Sequence, residues 1–365
     1  MSVVGEGIVP GSAAPAVARL TAIPKACVIS PAPRGDWDEI ARADPDALVT
    51  QTPAWSESLC SSTGARDASR LYDFGDGRRF VLPLVRPRLA PVAASFPPAW
   101  GFGGLVGAAP HPAEVGAVLR DLERLPLARV RIRPNPLHAD AWAAGSPPNW
   151  SRIERRAHAI DLGDGWDEVW KRFSSRARNH VRRAERSGVE VEMDSTGRLL
   201  PVFYELFMRS VDRWAEKQNE PLALARWRAH RRDPVDKLAS VLRGCDGAGQ
   251  LWVARVDGRP AAAILILRGA NAHYTRGAMD VELAGPSRAN YLLHRLAIED
   301  ACRAGCATYH MGETGSSGSL AQFKEALGAE PHGYAEHVTE RLPLTTADSA
   351  LRTAVKRVLR FSDDD

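Results

Sequence analysis

Apolar side chains recur every three or four residues between positions 166 and 187, which is the spacing of one face of an α-helix. The pattern predicts a helix over residues 166–187 that Gly188 ends, because glycine readily adopts the backbone angles found just after helices. On the opposite face, Arg178, Arg182 and Arg186 are four residues apart and are predicted to form a ridge facing solvent. The apolar face consists of Val169, Trp170, Phe173, Ala177, Val181 and Ala184.

Three apolar runs later in the chain are separated by short turns rich in Gly, Asp and Asn. They predict strands over residues 250–256, 260–267 and 272–279, joined as antiparallel hairpins. A helix over residues 289–304 follows, with Ser287 as its predicted cap and Gly305 as its end. The other elements predicted in this half are strands over 156–162, 189–193, 307–311 and 332–338 and helices over 199–217, 235–243 and 320–327.

The first half of the chain has weaker patterns. They predict a strand near residue 27, a helix that begins at Trp55, a hairpin of 71–74 with 79–85, a helix over 113–125 and a strand over 128–133. Pro134, Pro136, Pro147 and Pro148 then crowd a segment that is predicted to hold no regular element. Runs of strands followed by strand-helix-strand crossovers favour a mixed α/β sheet.

The length of 365 residues favours two domains that share an interface. We place the domain boundary near residue 150, directly after the proline-rich segment. The predicted organisation is a mobile N-terminal leader over residues 1–22, a first domain over 23–150, a second domain over 151–345 and a C-terminal tail over 346–365.

The composition is that of a globular protein, with 44% hydrophobic and 25% charged residues. The longest apolar run covers only residues 260–267, too short for a membrane-spanning helix, so no integral membrane contact is expected. Five scattered cysteines do not form a disulfide framework, which favours a reducing compartment and predicts a cytoplasmic protein. The leader lacks the basic and apolar regions of a secretion signal.

Positive charge is concentrated in one segment, although the net charge of the chain is only +4. Residues 171–186 contain seven Lys or Arg and one Glu. Few of these cations have a carboxylate one helical turn away, so they are candidates for binding RNA phosphates or a substrate diphosphate. The alternative is a helix face that contacts only water. The candidate RNA or phosphate-binding residues are Arg176, Arg178, Arg182, Arg183 and Arg186.

Four segments of the second half carry a resemblance to a known family. They read RARNHVRRAERSGVEVE at 176–192, HYTRGAM at 273–279, ANYLLHRLAIEDACRAG at 289–305 and SGSLAQFKEALGAEP at 317–331. They resemble the Fem family of aminoacyltransferases, which are best known for adding amino acids from aminoacyl-tRNA to peptidoglycan precursors. The similarity covers roughly residues 150–340, and in the first half only TPAW at 52–55 and SFPPAWGFGG at 95–104 match.

This resemblance implies a fold and an activity. The expected fold is α/β (α+β), with two GNAT-like domains that each contain a mixed, mostly antiparallel sheet flanked by helices. The coiled-coil arm of some Fem proteins is absent, as in shorter members. The implied activity is transfer of an amino acid from aminoacyl-tRNA to an amine, either on a peptidoglycan precursor or on a small amino compound. The first domain is expected to bind the acceptor and the second to bind the donor.

Phe323 and Lys324 align with the Phe-Lys pair of the Fem motif, in which the lysine is implicated in placing the acylated RNA end and stabilising charge on the reacting carbonyl. The chemistry is consistent with that role, because an activated ester requires no enzyme nucleophile, only a positioned amine and a cation near the developing oxyanion. Ser319 and Gln322 are predicted to form a capping box for the short helix that carries the pair. From spacing alone, an ordinary surface lysine is the favoured interpretation of Lys324.

Other candidates are less specific. Glu313, at the end of a predicted strand, is a candidate base that orients the amine, or else a capping or solvated carboxylate. The candidate substrate-binding residues are Phe323, Tyr274, Asn290, Tyr291 and Trp55, although buried tyrosines with a polar partner are common. No metal site is predicted, because Cys302, Cys306 and His310 lack a fourth ligand at convincing spacing.

A coenzyme A donor is the alternative to aminoacyl-tRNA. CoA-dependent GNAT enzymes present a glycine-rich turn whose bare N–H groups approach the pyrophosphate. The corresponding position here reads GPSRAN at 285–290, where only Gly285 remains and Pro286 lacks a donor. We therefore expect no bound cofactor and an aminoacyl-tRNA co-substrate. An acyl-CoA-dependent N-acyltransferase and a non-catalytic RNA-binding module are the two alternatives.

Overall fold

A computed structural model describes residues 25–75, 77–96, 101–245, 247–315, 317–348, 350 and 353. Two sheets organise this part of the chain. A three-stranded sheet has the order β1-β3-β4, and eleven further strands form one sheet in the order β2-β5-β6-β7-β14-β8-β13-β12-β11-β10-β9. The strands are β1 Cys27–Ile29, β2 Arg66–Asp67, β3 Arg70–Asp73, β4 Arg79–Leu82, β5 Val85–Arg86, β6 Val92–Ser95, β7 Arg129–Ile132, β8 Ser151–Asp161, β9 Glu190–Asp194, β10 Gly249–Val256, β11 Arg259–Arg268, β12 Ala272–Met279, β13 Thr308–Glu313 and β14 Glu330–Glu340.

Helices cover both faces of the large sheet, because alternate residues of its central strands are buried on opposite sides. Trp252 and Ala254 of β10 belong to one core cluster, whereas Leu251 and Val253 belong to another. Helices α5, α6 and α11 pack on the first face, and α7, α8 and α9 pack on the second. The helices are α1 Arg34–Ala43, α2 Pro53–Thr63, α3 Pro112–Glu123, α4 Ala139–Gly145, α5 Trp166–Arg172, α6 Ser175–Arg186, α7 Leu200–Lys217, α8 Leu222–Arg232, α9 Val235–Gly244, α10 Val281–Ser287, α11 Ala289–Arg303 and α12 Gly318–Ala326.

The sheet opens between two parallel strands. β12 and β13 are paired only at Ala272 with Tyr309 and at His273 with His310. Beyond these pairs the strands separate, and β13 remains attached to β8 through to Glu313. The divergence leaves one side of each strand without a neighbour and creates the opening in which the candidate site lies.

One strand from the end of the chain connects the two halves. β14 pairs antiparallel with β7 on one side and with β8 on the other. The predicted mixed, mostly antiparallel sheet flanked by helices is confirmed, as is the β3–β4 hairpin. The domain boundary near residue 150 stays a prediction. The predicted leader over residues 1–22 and most of the predicted tail over 346–365 lie outside the described residues.

The helix predicted over residues 166–187 is interrupted. α5 ends at Arg172 and α6 begins at Ser175, because Ser174 is extended and its hydroxyl accepts a hydrogen bond from the backbone N–H of Ala177. The guanidinium of Arg178 donates to the carbonyls of Lys171 and Phe173, which satisfies the end of α5. Apolar periodicity continues through the break, so the pattern alone did not show it.

Three smaller predictions were wrong, and two helices were missed. α4 lies inside the proline-rich segment, since the prolines flank this helix and do not interrupt it. Helices α1 and α8 were not predicted. Ser287 does not cap α11; it ends α10 and donates to the carbonyl of Leu283. Ser317, and not Ser319, caps α12.

The Ser174 cap generates a stability prediction. Ser174→Ala removes the acceptor for the Ala177 N–H, so we expect the free energy of unfolding to fall by about 1 kcal/mol. Urea unfolding followed by circular dichroism measures this change. The matched control is Ser175→Ala, an exposed first-turn serine, which should change stability by no more than a few tenths of a kcal/mol. Equal losses in the two variants would contradict the assigned cap.

Candidate active site

A cavity of about 200 Å³ lies where β12 and β13 separate. Its walls come from both halves of the chain. β12 contributes His273 to Arg276, and the end of β13 contributes Gly312 and Glu313. The remaining lining residues are Trp55, Gly101, Phe102, Arg133, Asp233, Lys237, Leu238, Val241 and Leu265. The predicted substrate-binding residues Trp55 and Tyr274 therefore lie at this cavity, together with Glu313.

Lys324 is buried behind the end of β13, with only 1% of its surface exposed. Its ammonium group donates to the carbonyls of Gly312 at 3.0 Å and Glu313 at 2.8 Å and to the hydroxyl of Thr314 at 3.2 Å. The alternative of an ordinary surface lysine is therefore wrong. Burial lowers the pKa of Lys324 to about 8, and nearby Glu313 opposes that change.

A second buried group continues this network. The Thr314 hydroxyl lies 2.6 Å from Nδ1 of His158, whose Nε2 is 3.4 Å from a carboxylate oxygen of Glu325. The Glu325 carboxylate only accepts, so its hydrogen bond with Nε2 places the proton there, and in the neutral ring Nδ1 accepts from the Thr314 hydroxyl. Burial lowers the pKa of His158, which favours this neutral ring. The residues after β13 are thus fixed by a connected set of hydrogen bonds.

The Glu313 side chain is half-buried at the mouth of the cavity. One carboxylate oxygen accepts a hydrogen bond from the Tyr334 hydroxyl, and the other lies 3.5 Å from Nη1 of Arg133. Glu313 is therefore neither a helix cap nor a fully solvated carboxylate. Its position beside the cavity is compatible with the predicted role in orienting an amine, which stays a prediction.

Aromatic rings link the cavity wall to the basic helix α6. The ring centroids of Tyr274 and His294 are 4.6 Å apart, and those of His294 and Phe323 are 5.3 Å apart. The ring centroid of Tyr291 lies 5.1 Å from that of Phe323 and 4.7 Å from that of His180 in α6. Phe323 and Tyr291 do not line the cavity; they form the packed layer between it and α6. Asn290 lies half-buried in the first turn of α11 and does not line the cavity either.

Four of the five candidate arginines lie on the exposed face of α6. Within the described ranges, no carboxylate forms an ion pair with Arg176, Arg182, Arg183 or Arg186. Arg178 does not belong to the predicted solvent-facing ridge, because its guanidinium is half-buried against α5 and donates to two backbone carbonyls. Its predicted phosphate binding stays a prediction. The exposed cations of α6, which we call the α6 arginine patch, are Arg176, Arg182, Arg183 and Arg186.

The GPSRAN segment is mostly helical. Residues up to Ser287 belong to α10, and Arg288 adopts a left-handed conformation with φ of 62° before α11 begins. The carboxylate of Asp280 accepts from the first N–H groups of α10. An open glycine turn of the kind expected for CoA is therefore replaced here by a capped helix with Pro286 inside it.

Sequence reasoning missed a buried ionic cluster on the opposite wall of the cavity. Asp233 accepts from Lys237 at 2.8 Å and from Arg276 at 3.0 Å, and also from exposed Arg232. Burial would raise the pKa of Asp233, but these cations lower it well below its usual range. Burial lowers the pKa of Lys237 to about 8. The spacing of Asp233 and Lys237 was a usable signal, but Arg276 is distant in sequence.

Comparisons with known proteins agree with this geometry. Residues 171–325 match the family model described as an acetyltransferase (GNAT) domain. This stretch is a GNAT domain. The chain is similar to the crystal structure of FemX, with a TM-score of 0.63 and 15% identity over 86% of this chain and 97% of that one. It is also similar to a conserved protein of unknown function from Bacteroides thetaiotaomicron VPI-5482, with a TM-score of 0.52 and 10% identity over 85% of this chain and 98% of that one.

No curated protein sequence matches the chain. At the identities of the two solved structures, the likeness is one of fold, and the predicted Fem-like GNAT fold is confirmed. The GNAT acetyltransferase domain also confirms the predicted enzyme class, an acyltransferase. Among the described residues, no helix is both long enough and apolar enough to cross a membrane.

The buried lysine of the GNAT domain generates a pH prediction. Folded Lys324 loses its proton near pH 8 but the unfolded chain retains it to about pH 10.5, so the unfolded state binds more protons in this window. The titration of Lys324 therefore increases the free energy of unfolding as pH rises. Relative to Lys324→Met, the unfolding free energy of the unmodified protein should rise by about 1 kcal/mol per pH unit between pH 8 and 10.

Urea unfolding at several pH values measures this difference, and the contribution of Lys237 cancels because both proteins contain it. Lys217→Met, at an exposed position, serves as the control and should give a curve parallel to that of the unmodified protein. A parallel curve for Lys324→Met would show that the folded state does not shift the titration of Lys324.

Proposed function

We propose that the chain is a cytoplasmic aminoacyltransferase that forms an amide between the amino acid of an aminoacyl-tRNA and an amine acceptor. One observation carries the proposal. The α6 arginine patch, whose members form no ion pair within the described ranges, is connected by contacting rings to a cavity that holds Glu313 at its mouth. A polyanion on the patch would thus have its reactive end near a site able to take up an amine.

The chemistry needs few groups. The acceptor amine attacks the ester carbonyl, a C–N bond forms and the ester C–O bond breaks. The amine gives its proton to Glu313, and a proton passes from Glu313 to the departing ribose oxygen. Lys324 uses its hydrogen bonds on Gly312, Glu313 and Thr314, so its main role is to hold the strand end that carries Glu313. Stabilisation of the reacting carbonyl by Lys324 stays a prediction, because the ammonium group does not line the cavity.

A phosphate of the donor has a suitable position at the start of α11. Arg288 lies directly before this fifteen-residue helix, whose first N–H groups favour an anion. Burial, followed by the charges of Arg288, Arg176 and Arg183, lowers the pKa of His180, so these cations surround one ring. The same cations would also bind a phosphate of coenzyme A. Comparing charged tRNA with acetyl-CoA as the acyl donor separates these two possibilities.

The test is transfer of radiolabel from a pool of charged tRNAs to a mixture of amine acceptors. We expect an amide product that ribonuclease treatment abolishes, because the α6 arginine patch binds the RNA and not the free amino acid. Acetyl-CoA is run in parallel as the competing donor. A product formed only from acetyl-CoA would overturn the tRNA proposal and support a CoA-dependent N-acyltransferase, whereas RNA binding without any product would indicate a binding module.

The α6 arginine patch generates a separate prediction. Changing Arg176, Arg183 and Arg186 together to Gln should weaken tRNA binding and lower the slope of log affinity against log salt by about 3, roughly one unit per lost phosphate contact. Filter binding at several salt concentrations measures the slope. The control variant removes three charges elsewhere, at Arg124, Arg152 and Arg259. Equal changes in the two triple variants would mean that net charge, and not the patch, determines RNA binding.

A further inference from the structure

Arg133 has an unusual environment for a buried cation. It belongs to the segment after β7, lines the cavity and is only 6% exposed. Its guanidinium forms no hydrogen bond with any described residue, and its buried Nε has no partner there. The two nearest carboxylate oxygens, of Glu313 and Glu336, are each 3.5 Å away. Buried arginines normally use their planar fork in short paired hydrogen bonds, so this one has capacity left for a ligand.

The neighbours of Arg133 do not neutralise it. Glu336 is 1% exposed and is held by Arg131 and Arg155, each at 2.7 Å. Three arginines therefore surround two carboxylates, Glu336 and Glu313, and one positive charge is left over. On the opposite wall, the carboxylate of Asp233 is already ion-paired with Lys237 and Arg276 and is not available to Arg133. The spare charge and the planar fork of Arg133 match a carboxylate, which can accept two parallel hydrogen bonds from one guanidinium.

The position of Glu313 adds a second requirement. Its carboxylate is adjacent to the Arg133 guanidinium and also faces the cavity. A ligand that satisfies both groups must carry a cation and an anion close together. In an α-amino acid the ammonium and carboxylate groups are attached to the same carbon, so one small molecule places its carboxylate on Arg133 and its amine at Glu313. The cavity of about 200 Å³ is of the size expected for such a molecule.

We propose that the acceptor is a free α-amino acid, with its carboxylate bound by Arg133 and its amine held at Glu313. This inference rests on the proposed function only in taking the cavity as the acceptor site. It assigns the first half of the chain a defined task, because Arg133 selects acceptors that carry a carboxylate next to the amine.

Binding of the twenty L-amino acids to the full chain, measured by calorimetry and by the rise in melting temperature, tests the inference without any donor. At least one amino acid should bind saturably. Two analogues of that amino acid, the amine without the carboxylate and the acid without the amino group, should each bind at least tenfold more weakly. Absence of saturable binding by all twenty, or equal binding of the decarboxylated amine, overturns the proposal.

Variants of Arg133 give an independent test. Arg133→Gln should weaken binding of the amino acid at least tenfold, and Arg133→Lys should weaken it less, because lysine keeps the charge but loses the planar fork. Arg124→Gln, at an exposed position, is the matched control and should bind normally. Unchanged affinity in folded Arg133→Gln overturns the assignment. If Arg133→Gln does not fold, the affinity of Arg133→Lys and the comparison of the amino acid with its decarboxylated amine test the assignment instead.

The two proposals fail in different ways. Amino acid binding that depends on Arg133, without transfer from charged tRNA, leaves the acceptor site in place and overturns the donor. Ribonuclease-sensitive transfer to an amine that lacks a carboxylate, at an undiminished rate, supports the donor and overturns the acceptor proposed here.

Discussion

The candidate site depends on the early separation of two strands. β12 and β13 share only two register pairs, so beyond His273 and His310 the backbone of each strand has no partner across the gap. Such a gap in a sheet leaves polar backbone groups that need other partners. Lys324 supplies them at the β13 side, with hydrogen bonds to two successive carbonyls. The opening and the buried lysine are thus parts of one arrangement, and the cavity is the space that results.

This arrangement has an electrostatic cost. A buried ammonium group loses its hydration, and this loss is the main reason that the pKa of Lys324 is lowered. Across the cavity, Asp233 forms a buried ionic cluster with Lys237 and Arg276. Replacing buried ion pairs with apolar groups often stabilises proteins, so an ionic cluster and a buried lysine beside one cavity favour a functional explanation over a structural one. Arg133 fits the same pattern, because its charge is buried without a hydrogen-bonding partner among the described residues.

The fold of the second half could be predicted from hydrophobic periodicity because its strands and helices are long and bounded by glycine turns. Predictions failed where a single polar contact decides the structure. Ser174 and Arg178 divide one amphipathic pattern into α5 and α6, and nothing in the apolar spacing records this. The site was predicted only in part: Glu313, Tyr274 and Trp55 line the cavity, while Arg133, Asp233 and Arg276 were missed. Their proximity arises from strand pairing between distant segments, which a local pattern does not contain.

The position of β14 in the sheet affects the order in which the protein assembles on the ribosome. β7 emerges about two hundred residues before β14, its antiparallel neighbour, and until then presents an open edge. The first half therefore cannot complete its sheet until residues 330–340 have been synthesised, and Arg133, just beyond that edge, meets Glu336 only after β14 has docked. Pairings this distant in sequence slow folding and prolong the exposure of strand edges. The nascent chain thus has an interval in which the same edge is open to a strand from another chain.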